Sequence, residues 1–141
     1  MKQIKFSDCH FHDSVIKNIE YDGKVLSFYI PESHYENTYN NLKVEMLIDE
    51  YDISVYHIRQ YPRFHKVKIK GKEISIDVLR SFFKRGKVLE ILEFTVSADS
   101  NLVVFECVVS PYSSRPGVYE KIIFSLGYER DYLIFKETAE K

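Results

Sequence analysis

Val15-Ile16-Lys17-Asn18-Ile19-Glu20-Tyr21-Asp22-Gly23-Lys24-Val25-Leu26-Ser27-Phe28-Tyr29-Ile30 is the stretch whose reading decides the fold class of this chain. Two runs rich in β-branched and aromatic residues flank Asp22-Gly23, a dipeptide that supplies the positive φ angles of a two-residue type I′ turn. The spacing predicts an antiparallel hairpin. In its first strand the apolar period slips between Ile16 and Ile19, as a β-bulge makes it do. Pro31 ends the second strand, and the polar stretch after it, through residue 41, reads as a loop.

The same grammar repeats outward from this hairpin. Leu42, Val44, Met46 and Ile48 fall on one face of a half-buried strand. Ile53-Ser54-Val55-Tyr56-His57-Ile58-Arg59 reads as its partner across the acidic turn Asp49-Glu50-Tyr51-Asp52. Val88 to Ser97 and Leu102 to Ser110 form a further hairpin, as do Val118 to Ser125 and Tyr128 to Lys136 around Gly127. Residues 76–85 alone have helical spacing, with Ile76, Leu79 and Phe83 in a stripe and Phe82 beside it. Ser75 suits the N-cap, Lys84-Arg85 suit the negative end of the helix dipole, and Gly86 can close the last turn. The expected architecture is a β-dominated α+β domain, an antiparallel sandwich or partly open barrel of about eight or nine strands with one helix near 76–85. A chain of 141 residues suits a single domain over 1–141. Leu26, Phe28, Val44, Met46, Leu79, Phe83, Phe94, Val96, Phe105, Ile122 and Phe124 are the expected core.

Composition narrows the function classes. No apolar run approaches the ~20 residues that a bilayer span needs, and Met1 to Asp8 lacks the apolar stretch of a secretory signal. Two cysteines, Cys9 and Cys107, are too few for a disulfide scaffold, so the expected setting is cytoplasmic and away from membranes. A net charge of −1 hides an asymmetry: residues 1–52 sum to −5, 53–89 to +8 and 90–141 to −4. Lys66, Lys68 and Lys70 alternate with Val67 and Ile69, which places them on one solvent face beside the mixed basic and aromatic run 57–66. Nucleic-acid binding draws on such residues. A pI near 6.5 lies well below that of a dedicated nucleic-acid binder, and the acidic segments are expected to cancel much of the basic one. No nucleic-acid partner is expected.

Catalytic signatures are absent from the sequence. The five glycines are scattered singly, so no phosphate-cradling loop can form, and there is no G-x-S-x-G, C-x-x-C or H-E-x-x-H. No catalytic residue and no cofactor are assigned. Cys9-His10-Phe11-His12-Asp13 does place four possible metal ligands in five residues. In an extended chain His10 and His12 share a face. A metal-binding protein or metal-dependent enzyme using His10, His12 and Asp13, completed by His34, His57 or His65, is therefore the alternative to a binding role. The leading expectation is a non-enzymatic protein-binding module that uses Tyr35, Tyr39, Tyr51, Tyr112 and Arg115. These stand in polar or turn-rich connections, where tyrosine's rigid apolar body and polar tip suit an interface.

Phe11-His12-Asp13-Ser14-Val15-Ile16, followed by Ile19, Asp22-Gly23, Leu26 and Phe28, resembles a loose group of small bacterial proteins that open with a His-Asp-Ser step into a hairpin. Ile74-Ser75-Ile76-Asp77-Val78-Leu79, then Gly86 and Leu89-Glu90-Ile91, fits the same layout. Some proteins of that group are encoded beside polymorphic toxins and are taken for immunity proteins. The resemblance implies a chain that binds and blocks a cognate toxin, without catalytic residues to carry over.

Overall fold

The computed structural model describes residues 2–9, 11–32, 40–97, 99–111, 115–129 and 132–137. Its strands are β1 (Lys2–Lys5), β2 (Val15–Ile16), β3 (Asn18–Tyr21), β4 (Val25–Glu32), β5 (Asn40–Leu47), β6 (Ile53–Arg63), β7 (Lys66–Ile74), β8 (Val88–Ser97), β9 (Leu102–Ser110), β10 (Tyr119–Gly127) and β11 (Tyr132–Glu137). One helix, α1 (Ile76–Lys84), interrupts them. The strands form two antiparallel sheets, a five-stranded one in the order β1-β11-β5-β4-β3 and a six-stranded one in the order β2-β8-β9-β10-β6-β7. The architecture is a sandwich, not a closed or partly open barrel, and it holds more strands than the sequence suggests.

Alternation explains the core. In β9 every second residue, Val103, Phe105, Cys107 and Val109, is buried, and Ile122, Phe124 and Leu126 do the same in β10. Phe28 from the opposite sheet meets Phe105 with ring centroids 5.3 Å apart, and Phe105 also reaches Phe94 at 4.7 Å and Phe11 at 5.9 Å. Of the expected core, Phe83, Phe94 and Val96 are partly buried against it and the rest are buried. The helix forms as expected. Ser75 accepts from the Val78 amide at 3.1 Å, Gly86 follows at φ +81°, and Leu79 and Phe82 are buried.

Several connections differ from the sequence reading. The slip between Ile16 and Ile19 is a change of sheet, not a bulge: β2 pairs with β8, while β3 pairs with β4. The Lys17 amide donates to the Tyr29 carbonyl at the crossing, and Ile16 and Ile19 are both fully buried, each in its own sheet. At the Asp-Gly turn, Asp22 Oδ1 accepts from the amides of Lys24 and Val25 at 2.9 and 2.7 Å, so a side chain closes a turn wider than type I′. β6 is not the partner of β5. A 3-10 turn at Glu50–Asp52 carries the chain to the other sheet, where β6 lies between β10 and β7. The chain crosses again after β10, so β10 and β11 do not form a hairpin. No helix among the described residues is long and apolar enough to cross a membrane.

Candidate functional site

Of the expected binding residues, Tyr35, Tyr39 and Tyr112 lie outside the described residues, as do His10 and His34 of the metal reading. Tyr51 sits in the 3-10 turn with 89% of its surface exposed. Arg115 is the one that joins other polar residues. It lines a pocket of about 380 Å³ with Arg59, Tyr61, Pro62, Lys70 and Pro116, at the point where Gly117 brings its loop against Pro62.

The histidine segment is a turn and not an extended strand. Ser14 N–H donates to the Phe11 carbonyl at 2.9 Å, Asp13 takes φ +67°, and Phe11 is buried in the aromatic core. His12 Nδ1 lies 3.0 Å from Asp13 Oδ2 at the surface. His57 is held elsewhere, 2.9 Å from Glu120 and edge-on to Phe82 at 5.3 Å. It stands on β6, four strands from β2 in its sheet, or about 19 Å at the usual strand spacing. His65 is at the tip of the β6–β7 hairpin. Of these candidates the described ones, His12, Asp13, His57 and His65, are not brought together, and no group of three or more His, Cys, Asp or Glu residues converges among the described residues. Both cysteines are free and buried. Burial, with Asp8 adding repulsion, pushes the Cys9 thiol up to about 12, and burial likewise raises Cys107, so neither is a ready nucleophile at neutral pH.

The β6–β7 hairpin has the least ordinary surface. The register sets Val55 opposite Ile74, His57 opposite Lys72, Arg59 opposite Lys70, Tyr61 opposite Lys68 and Arg63 opposite Lys66. Directly opposed residues share a face, so Lys66, Lys68, Lys70 and Lys72 lie on the side that carries the core at Val55. Beyond the core that side becomes a basic shelf. Like charges directly opposite each other destabilise a sheet by about 0.2–1 kcal/mol, and this shelf contains two such pairs, Arg59–Lys70 and Arg63–Lys66. Among the described residues none of the four lysines, Arg59 or Arg63 has an ion pair. One carboxylate stands against this row, Glu120 of β10 opposite Arg59, and it lies 2.9 Å from His57; Glu73 projects from the other face toward Ser54.

Beyond Glu73, that other face exposes apolar side chains. Val67 and Ile69 are 62% and 66% exposed, and Tyr56 and Tyr119 are exposed beside them. A Cβ built on Gly71 would stand 2.5 Å from Tyr56 Cε2, so the Tyr56 ring covers the place a side chain would occupy. At the tip, Phe64 and His65 adopt φ +51° and +64°, a type I′ turn made without glycine or asparagine. Phe64 is 82% exposed, with the Arg63 guanidinium 5.5 Å from its ring centre. The sequence singles out the lysine row and the basic-aromatic run beside it, but the arginines opposite the lysines and the aromatic turn at the tip depend on register. No family model, curated protein or solved structure matches the chain.

Proposed function

We propose that this chain is a non-enzymatic protein-binding module whose binding element is the β6–β7 hairpin. The observation that carries the reading is a cationic shelf whose described lysines and arginines form no ion pair, on one face of a hairpin whose other face and tip expose apolar residues. A lysine row alone keeps a sheet edge soluble and unpaired. Solubility does not explain Phe64, Val67 and Ile69 in water, nor opposed cations that form no ion pair among the described residues. Apolar residues of this kind favour a protein partner over nucleic acid, because they offer nothing to a phosphate backbone. The resemblance noted above makes an immunity-like role, with a toxin as partner, the specific form of the proposal. A cytoplasmic setting belongs to it too, supported by the two free thiols.

Affinity capture of the tagged chain from its source organism tests this reading. A stoichiometric protein partner is expected with the native chain, and at least a tenfold loss of it with Phe64→Ser plus Ile69→Ser at unchanged circular dichroism. Absence of a stoichiometric partner, or equal capture by the double variant, would overturn it.

A further inference from the structure

We infer that the open edge of β7 accepts an extended segment of a partner protein that alternates acidic and apolar residues, docking as an added strand. The inference rests on the protein-binding reading and adds the partner's chemistry and mode of attachment. β7 is the last strand of its sheet, is nine residues long, and pairs only with β6. Eight of its residues, Lys66 to Glu73, are exposed. One side of such an edge strand is a row of backbone donors and acceptors that a further strand can use.

The side chains state what that strand would carry. The lysines recur at every second residue, a pitch of roughly 6.7 Å, which is also the same-face pitch of any strand laid beside them. An acidic residue at every second position would then meet Lys66, Lys68, Lys70 and Lys72 in turn. Intervening residues would fall on the face of Val67, Ile69 and the Tyr56 ring over Gly71, where apolar side chains are matched. The pocket at Arg59, Lys70 and Arg115 lies on the cationic side and suits a carboxylate. A second copy of this chain is excluded as the occupant by the same chemistry. Two β7 strands related by a two-fold axis would set lysine opposite lysine along one face.

The full chain, titrated with a labelled, end-capped nonapeptide alternating glutamate and valine at physiological salt, tests the inference. The comparators are the same peptide N-methylated at every residue, a lysine–valine nonapeptide and a nine-nucleotide deoxythymidine oligomer. Binding of the glutamate–valine peptide is expected to be at least tenfold tighter than that of each comparator, with new amide-exchange protection confined to residues 66–74. Lys68→Glu plus Lys70→Glu is expected to lose this peptide and to gain the lysine–valine one, a gain that misfolding cannot produce. Equal binding of the N-methylated peptide would show charge attraction without a strand ladder, and tighter binding of the oligomer would point to nucleic acid; either overturns the inference. If the glutamate–valine peptide fails while Phe64→Ser plus Ile69→Ser still abolishes capture of a cellular partner, the strand chemistry falls and the protein-binding reading stands. If both fail, both fall.

Discussion

Among the described residues two places set cation opposite cation across neighbouring strands, and they are furnished differently. In the five-stranded sheet Lys43 of β5 faces Lys136 of β11, and Glu45 accepts from both, at 3.4 and 2.7 Å. The ammonium of Lys136, then that of Lys43, holds the Glu45 carboxyl below the usual carboxylate range. In the β6–β7 hairpin Arg59 faces Lys70 and Arg63 faces Lys66, and among the described residues none of the four forms an ion pair; Glu120, opposite Arg59 on β10, is engaged by His57. Where the cations serve the sheet, the chain supplies their counterion. On the hairpin the opposed cations form no ion pair among the described residues, and the binding proposal assigns their counterion to a partner.

The largest expected effect concerns the hairpin's tip. A non-glycine residue in the left-handed region costs about 1–2 kcal/mol, and Phe64 and His65 are both there. Replacing them by Asn-Gly is expected to stabilise the chain by about 2 kcal/mol in a urea melt while removing the exposed aromatic ring and weakening partner capture. Unchanged stability would mean that this turn stores no strain, and the hairpin would then differ from the body in charge alone.

A smaller change is expected in the other sheet. Glu45→Gln removes the shared counterion and is expected to destabilise by about 1 kcal/mol at neutral pH. Because the folded-state pKa is lowered, Glu45 contributes stability that is fully present above the ordinary carboxylate range and lost as pH falls through its lowered value. The gap between native and variant should therefore narrow on acidification. A gap that is constant from neutral pH down to pH 2 would show that the carboxylate is not what holds the lysines together.

Smallest is the mirror experiment on the hairpin. Lys70→Glu converts a repulsive pair into an attractive one and is expected to stabilise by about 0.5 kcal/mol at low salt. The gain should shrink in molar salt, where screening shortens to about 3 Å. A loss of stability would mean that Lys70 already has a counterion, and the contrast between the two regions would collapse.

Much of the fold could be read from local patterning, and the failures share one cause. The helix was legible because Ser75, the stripe through Leu79 and Gly86 agree within a dozen residues. The β8–β9 hairpin was legible for the same reason. The pairing of β6 with β10, or of β11 with β1 and β5, was not, because an alternating strand has the same local pattern whichever neighbour it finds. Lys17 gives no sign that the chain changes sheets there. The lysine row was visible in sequence, but its face and its lack of ion pairs among the described residues depend on register. Phe64-His65 was unreadable as a turn because neither residue favours positive φ. Of the expected binding residues that are described, Arg115 reaches the hairpin, through a loop that leans on Pro62.

The position of β11 also sets an order of events during synthesis. β11 does not extend its sheet at an edge but lies between β1 and β5. β1, the first of the described strands, therefore has no place to pair until β11, the last of them, has left the ribosome. Until then β5 has an open side, and the inner face of the six-stranded sheet lacks part of its cover. Contacts this distant along the chain form slowly, on the order of milliseconds to seconds in β-rich domains. A nascent chain stalled before residue 132 would thus carry every residue of the hairpin yet lack a complete sandwich beneath it, and would depend on chaperones for as long as the stall lasts.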